Sequence, residues 1–311
     1  MTRNTFIGIM AALAAALVGS SWQLASRHGV TTSLGPLELA VLRYGIPAIV
    51  LLPLLIKSGF LPRGLPWPKL LLLVASGGLP FGLVVVQGAQ WAPAAHIGVF
   101  TSGSIPLFTA LGGWLLTGQA LGRSRIAGLA LIVLGLAAFG LADLAILGAT
   151  WRGDVLFVLA AMMWAVHSLA FARCGLTPWQ GAALFNFWSA VLLIPLVIVL
   201  GAPKLLTAPW PEVAFQALGQ GVVAGLLGLV AYMAAIARLG AARASLSAAL
   251  VPLLTALGAA AMLREGLTAS TLAALALVMT GVALASTPPS DHSDHGDHGD
   301  HGDHGDHTLH K

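Results

Sequence analysis

Ten apolar runs of about 20 residues alternate with short polar breaks along the chain. They cover roughly 6–26, 37–56, 69–90, 94–117, 125–147, 153–173, 179–200, 212–236, 243–263 and 268–286. A helix of about 20 apolar residues is long enough to cross the hydrocarbon core of a bilayer. The breaks hold Gly, Pro and charges, as in Lys57 to Lys69 with Pro62, Pro66 and Pro68. The pattern predicts an all-α integral membrane protein with ten transmembrane helices. The first run follows Arg3 and exceeds the 7–15 residues of a secretory signal core, so it is counted as a membrane helix.

The runs are not independent. Pro106-Leu107-Phe108-Thr109-Ala110-Leu111-Gly112 returns 146 positions later as Pro252-Leu253-Leu254-Thr255-Ala256-Leu257-Gly258, with six of seven residues identical. The same offset pairs Arg27 and Gly29 with Arg173 and Gly175, Gln119 and Leu121 with Glu265 and Leu267, and Gly135 with Gly281. Internal repeats govern the fold. The chain divides into a first repeat (1–147, helices one to five), a second (148–287, helices six to ten) and a tail (288–311). Five helices is an odd number, so the second copy must enter the membrane upside down. Inverted repeats place a substrate site at their interface near the midplane and permit alternating access. A transporter is the expectation.

Composition agrees with the pattern. Of 311 residues, 58% are hydrophobic and 8% charged, against about 25% charged in soluble domains, and the mean hydropathy is +0.90. The basic residues stand singly between apolar runs, which argues against nucleic-acid binding. The lone Cys174 excludes an intrachain disulfide. With the N-terminus inside, inner segments carry Arg3, Lys57, Arg63, Lys69, Arg123, Arg125, Arg173, Arg238, Arg243 and Lys311, and outer loops only Arg27, Arg152, Lys204 and Arg264. The positive-inside rule therefore predicts both termini cytoplasmic, in a multi-pass protein of a bacterial-type inner membrane.

Several stretches resemble the drug/metabolite transporter superfamily, in its ten-helix branch of two EamA domains. Ala94 through Leu121 resembles the family's Pro-containing helix. Leu239-Gly240-Ala241-Ala242-Arg243-Ala244-Ser245, running through Pro252 to Arg264-Glu265, matches it more closely. Pro36-Leu37-Glu38-Leu39-Ala40-Val41-Leu42-Arg43-Tyr44 is similar to the opening of helix two, and Met163-Trp164-Ala165-Val166-His167 to the tryptophan-bearing helix six. Two positions depart from the pattern: Gln119 stands where an acid is expected, and helix one reads Val18-Gly19 with Trp22 a turn later. The resemblance implies flux of small organic metabolites, with the aromatic amino acid exporters of this branch as the functional analogue.

Polar groups at membrane depth are costly and mark candidate sites. Arg43 is expected to face the bundle interior and offer a substrate carboxylate a planar fork of donors; Glu38, five positions away, is off its helical face. Gln87, Gln90 and Trp91 end the third run, where the glutamines suit a zwitterion or an interhelical bond. Ser102, with Thr101 and Ser104, precedes Pro106, while Ser245 and Ser247 precede Pro252. A proline frees the carbonyl one turn back, and these hydroxyls are expected to satisfy it, leaving Pro106 and Pro252 as hinges. Trp164 and His167 share a helical face. Asn186, Trp188 and Tyr232 complete the substrate-binding set. Trp67, Trp151, Trp179 and Trp210 read as interfacial anchors, and Gly221, Gly225 and Gly228 as a packing stripe.

The acids before the tail are Glu38, Asp143, Asp154, Glu212 and Glu265, all near outer helix ends. With none at mid-membrane, facilitated movement is expected rather than obligatory ion coupling. No Ser/His/Asp, His-Glu-x-x-His or paired-carboxylate set is present, so no catalytic residues and no enzyme are expected. After Pro288-Pro289 the chain repeats Asp-His-Ser/Gly, with His292, His295, His298, His301, His304 and His307 in register. Such a tail is expected to be disordered; no cofactor is expected, although its dense imidazoles and carboxylates could bind a divalent metal without fixed geometry. The alternative function is a metal-efflux carrier or metal-responsive membrane protein using that tail. The expected partners are a small-molecule substrate and the lipid bilayer; the oligomeric state leaves no mark in the sequence.

Overall fold

The computed structural model describes residues 2–285 except 63, 119, 120, 148 and 149, and of 143–147 the backbone alone. The tail histidines read as possible metal ligands, Gln119, and the side chain of Asp143 lie outside the described residues. Among the described residues the structure is all-helical. Eight helices are long and apolar enough to cross a membrane: α1 (Arg3–Thr31), α3 (Trp67–Gly88), α4 (Ala94–Thr117), α5 (Arg123–Leu147), α6 (Trp151–Phe171), α7 (Pro178–Leu200), α8 (Trp210–Leu239) and α9 (Ala241–Leu263). The second expected span, α2, is Pro36–Val50 followed by Leu52–Ser58, bent by 57°. The tenth, α10, is an apolar helix of 17 residues, Ala269–Ala285. All ten runs are thus helical, but only eight meet the full length as single helices. Pro53, one residue past the α2 bend, cannot donate into the preceding turn.

Packing repeats under exchange of the halves. Helix α1 lies against α8 and α9, as α6 lies against α3 and α4; α2 meets α8, as α7 meets α3. The pairs α2/α7, α4/α9 and α5/α10 map onto themselves. In α5/α10 the backbones nearly touch: a Cβ on Gly281 would lie 2.6 Å from the Gly128 carbonyl oxygen. The 146-residue offset also holds at helix ends. Gly118 closes α4 in the left-handed region (φ 67), and Arg264 closes α9 there (φ 56). Glycine takes this conformation freely, whereas an arginine strains its Cβ.

The outward positions are themselves apolar, among them Ile49, Leu115, Ile198 and Val199. Such a surface suits lipid. Trp67, Trp151, Trp179 and Trp210 stand exposed at helix ends, where an amphipathic ring sits at the headgroup level. The protein is a multi-pass membrane protein.

Candidate functional site

Prolines and glycines open the regular helices where they converge at the centre. In α4, Ile97–Ser102 is π-helical, Gly103 bonds the carbonyl of Gly98, and regular bonding resumes at Ile105, next to Pro106. In α9 the break falls at Ala248 and Ala249, before Pro252. Helix α2 is π-helical over Val41–Gly45, with Pro47 beyond it, and α8 over Ala217–Gly228. A π turn widens the helix and redirects side chains, commonly at functional sites.

These openings surround a cavity of about 90 Å³, several times the roughly 10–15 Å³ that one water requires. Both halves line it: α1, α2, α3 and α4 from the first, α6, α8 and α9 from the second. One wall is aromatic. Trp22 stacks on Phe81 at 5.8 Å, Phe81 meets Trp164 with tilted rings at 4.7 Å, and Trp164 meets Tyr232 at 5.2 Å. The Arg43 guanidinium lies 4.3 Å from the Trp22 ring centroid, a cation–π contact. Its Nε and Nη1 are buried and hydrogen-bond nothing. Among the described residues no carboxylate pairs with this guanidinium, which rests against the rings of Trp22 and Tyr44.

Toward the end where α1 finishes, polar ties seal the helices together. Gln23 donates to Ser102 Oγ at 2.7 Å and accepts from Thr255 Oγ1 at 2.8 Å, joining α1, α4 and α9. Trp22 Nε1 donates to Gln220 at 2.8 Å, and Gln220 donates to Ser26 and Gln216. Beyond them, Arg27 pairs with Glu265 at 3.0 Å and donates to the Ala89 carbonyl, while Glu265 accepts from the Ala94 amide at 2.8 Å. His28–Glu212 (3.1 Å) and His96–Asp154 (2.8 Å) lie at the same end. Toward the opposite end the cavity is lined by small residues, including Ala15, Ala16, Gly19 and Ala248. Among the described residues, no side-chain hydrogen bond ties the first half of α1 to another helix.

The two-fold arrangement of these elements has a counterpart in sequence. The profile of the EamA-like transporter family matches residues 6–141 and again 151–287. The chain belongs to the EamA-like transporter family. It is a membrane transporter of small molecules built from two EamA repeats. No curated protein matches the chain, while 26 chains of solved structures do. One of these, described as "Crystal structure of protein", is 23% identical with a TM-score of 0.64, the overlap covering 95% of this chain and 99% of that one. It shares the fold.

In this EamA-like chain, four of the sequence-derived candidates meet at the cavity: Arg43, Ser102, Trp164 and Tyr232. The others stand elsewhere. Gln87 donates to Gln90 at the end of α3, and Gln90 and Trp91 are exposed in the turn that follows Gly88, between the buried Ala89 and Ala92. His167 is fully buried behind Trp164; its Nδ1 donates to the Leu73 carbonyl at 3.1 Å, and it borders a separate void of about 10 Å³. Asn186 donates to the carbonyls of Ala182 and Gly225, tying α7 to α8. Trp188 donates to Phe60 and packs on Trp67 near the other end of the bundle. Pro106 and Pro252 sit beside the two helix breaks, but the hydroxyls do not repair them. Ser102 holds Gln23, while Ser245 and Ser247 bond the carbonyls of Ala242 and Ala244.

Sequence reasoning missed Gln23, Gln220 and Phe81. Gln23 and Gln220 lie in apolar runs with Trp22 and Gly221 beside them, which was the available signal. Among the described residues no three His, Cys, Asp or Glu side chains cluster as a metal site requires.

Proposed function

We propose that this transporter carries small amphipathic organic metabolites such as amino acids, by alternating access, with net export by facilitated movement. The observation that carries the reading is the cavity between the repeats, where an unpaired Arg43 guanidinium faces an aromatic wall. A carboxylate suits the guanidinium fork, and an apolar or aromatic body suits Trp22, Phe81, Trp164 and Tyr232. The seal from Gln23 out to Glu265 closes one end, so solute would be admitted from the other; with the orientation from the Lys and Arg bias, that is the cytoplasmic side. The odd number of spans per repeat relates the halves by inversion. Rocking about the breaks at Pro106 and Pro252 would then close the open end as the other releases.

Counterflow in proteoliposomes tests the reading. Liposomes loaded with an unlabelled aromatic amino acid should exchange it for labelled solute, and protein-free liposomes should not. Flux should run downhill without an imposed pH step. Absence of exchange across a panel of amino acids and related carboxylates overturns the proposed substrate class, and uptake that demands a proton gradient overturns facilitated movement.

A further inference from the structure

We infer that, of the charges a solute can carry, the central cavity recognises the negative one alone: it is a site for planar or aromatic organic carboxylates in which an amino group contributes nothing to binding. The inference rests on the proposed function and narrows its substrate class. Its ground is the position of every described carboxylate. Glu38 accepts from the Gly35 and Lys204 amides, Asp154 faces His96, Glu212 faces His28 and Gln216, and Glu265 holds Arg27 and the Ala94 amide. None of these four lines the cavity. The cavity lining thus includes a guanidinium with two nitrogens that hydrogen-bond nothing and, among the described residues, no carboxylate for an ammonium.

The neutral acceptors are largely committed. Gln23 Oε1 takes the Thr255 hydroxyl, and Ser102 takes the Gln23 amide. Tyr232 shares its hydroxyl with Ser168. What remains for an ammonium is the single neutral hydroxyl of Thr101, which has no partner, and the aromatic wall. The Trp22 ring, however, already carries Arg43 at 4.3 Å, and a second cation in a space of about 90 Å³ meets the repulsion of the first. An anion relieves both problems. It fills the empty donors and offsets a buried charge that is otherwise expensive to maintain.

Three probes of one shape separate these terms: L-phenylalanine, 3-phenylpropionate and phenethylamine, titrated by calorimetry into the purified full chain in nanodiscs. 3-Phenylpropionate should bind as tightly as L-phenylalanine or more tightly, and phenethylamine roughly 10- to 100-fold more weakly, the worth of a hydrogen-bonded charge. Arg43→Gln should abolish the preference for the carboxylates, and Arg43→Lys should restore part of it. The comparison on the parent protein stands even where a variant fails to fold. An amine requirement, with L-phenylalanine at least about tenfold tighter than 3-phenylpropionate, overturns the inference and leaves the transport reading intact. Binding of none of the three, together with no counterflow, overturns both.

Discussion

Arg27 and Glu265 meet at 3.0 Å across 238 positions of sequence, joining the last turns of α1 to the segment between α9 and α10. Both side chains are about one-fifth exposed, and Glu265 also holds the first amide of α4. Glu265 therefore fastens the end of α1 and the start of α4 to the segment that follows α9, at one end of the cavity.

Glu265→Gln should loosen that end by about 1–2 kcal/mol, a 5- to 30-fold change in the population open there. Thr101→Cys in a Cys174→Ser background gives the readout. Thr101 lines the cavity and its hydroxyl has no partner, so the reporter costs little. The native thiol is removed although burial already pushes its pKa up and slows its reaction. An impermeant thiol reagent added at the sealed end should label the parent slowly and the Glu265→Gln protein faster. Equal rates would mean the pair does not hold that end shut.

Gln23→Leu should destabilise the chain by about 1–2 kcal/mol, since it strands both Ser102 and Thr255 in the interior. Thr255→Val should cost less, near the roughly 0.6 kcal/mol average for an interhelical bond in a membrane. A double-mutant cycle on thermal unfolding in detergent checks this. Additivity of the two changes would rule out the shared bond.

Gly225→Ala should be strongly destabilising, by about 1–3 kcal/mol. A Cβ there would lie 2.5 Å from the Arg43 carbonyl oxygen and 2.9 Å from Pro47 Cγ, and backbone cannot yield as a side chain does. Gly113→Ala is the matched control. Nothing lies within 4 Å of its Cβ position, and the substitution should gain about 0.5–1 kcal/mol of helix stability. Melting temperatures of the two variants should move in opposite directions.

Arg264→Gly should stabilise the protein by about 1 kcal/mol by relieving the left-handed strain at the end of α9. Gly118→Ala, at the corresponding end of α4, should destabilise by a similar amount. A lower melting temperature for Arg264→Gly would show that the arginine side chain compensates its backbone.

Trp164→Leu should weaken solute binding about tenfold or more, since it removes a ring that touches Phe81, Tyr232 and the cavity. His167→Leu should leave affinity within about twofold while lowering stability, because His167 faces away from the cavity into packed apolar residues. Equal losses of affinity from the two changes would place His167 in the binding site after all.

The spans were legible because a bilayer-crossing helix must be apolar over a fixed length, and a doubled sequence must pack as a doubled structure. Arg43 was legible for the same kind of reason: a charge within an apolar run has nowhere to go but inward. Gln87 and Gln90 stand away from the cavity, bonded to each other at the end of α3, because a glutamine near a helix end is cheap whether or not it binds anything. Gln23 and Gln220 were silent because their value lies in partners on other helices, at separations that no local spacing encodes. The π-helical turns were equally silent. Pro47, Pro106 and Pro252 announce a broken ladder, but which carbonyls stay free and which side chains swing into the gap follow only from the packed neighbours.

The unequal fastening of the two ends has a kinetic consequence. A carrier that moves solute passively must have the same ratio of maximal rate to half-saturation in both directions, because it cannot shift an equilibrium. Nothing requires the half-saturation values themselves to match. Under the proposed alternating access, the ties at Arg27, Glu265 and the glutamines would leave the empty protein offering its site mainly to the opposite compartment. Solute there meets a ready site, while solute on the sealed side must wait for a rarer conformation. Under the proposed facilitated movement, such a carrier would saturate at low concentration from the ready side and respond almost linearly from the other, while at low solute the two directions would run at the same rate per unit concentration.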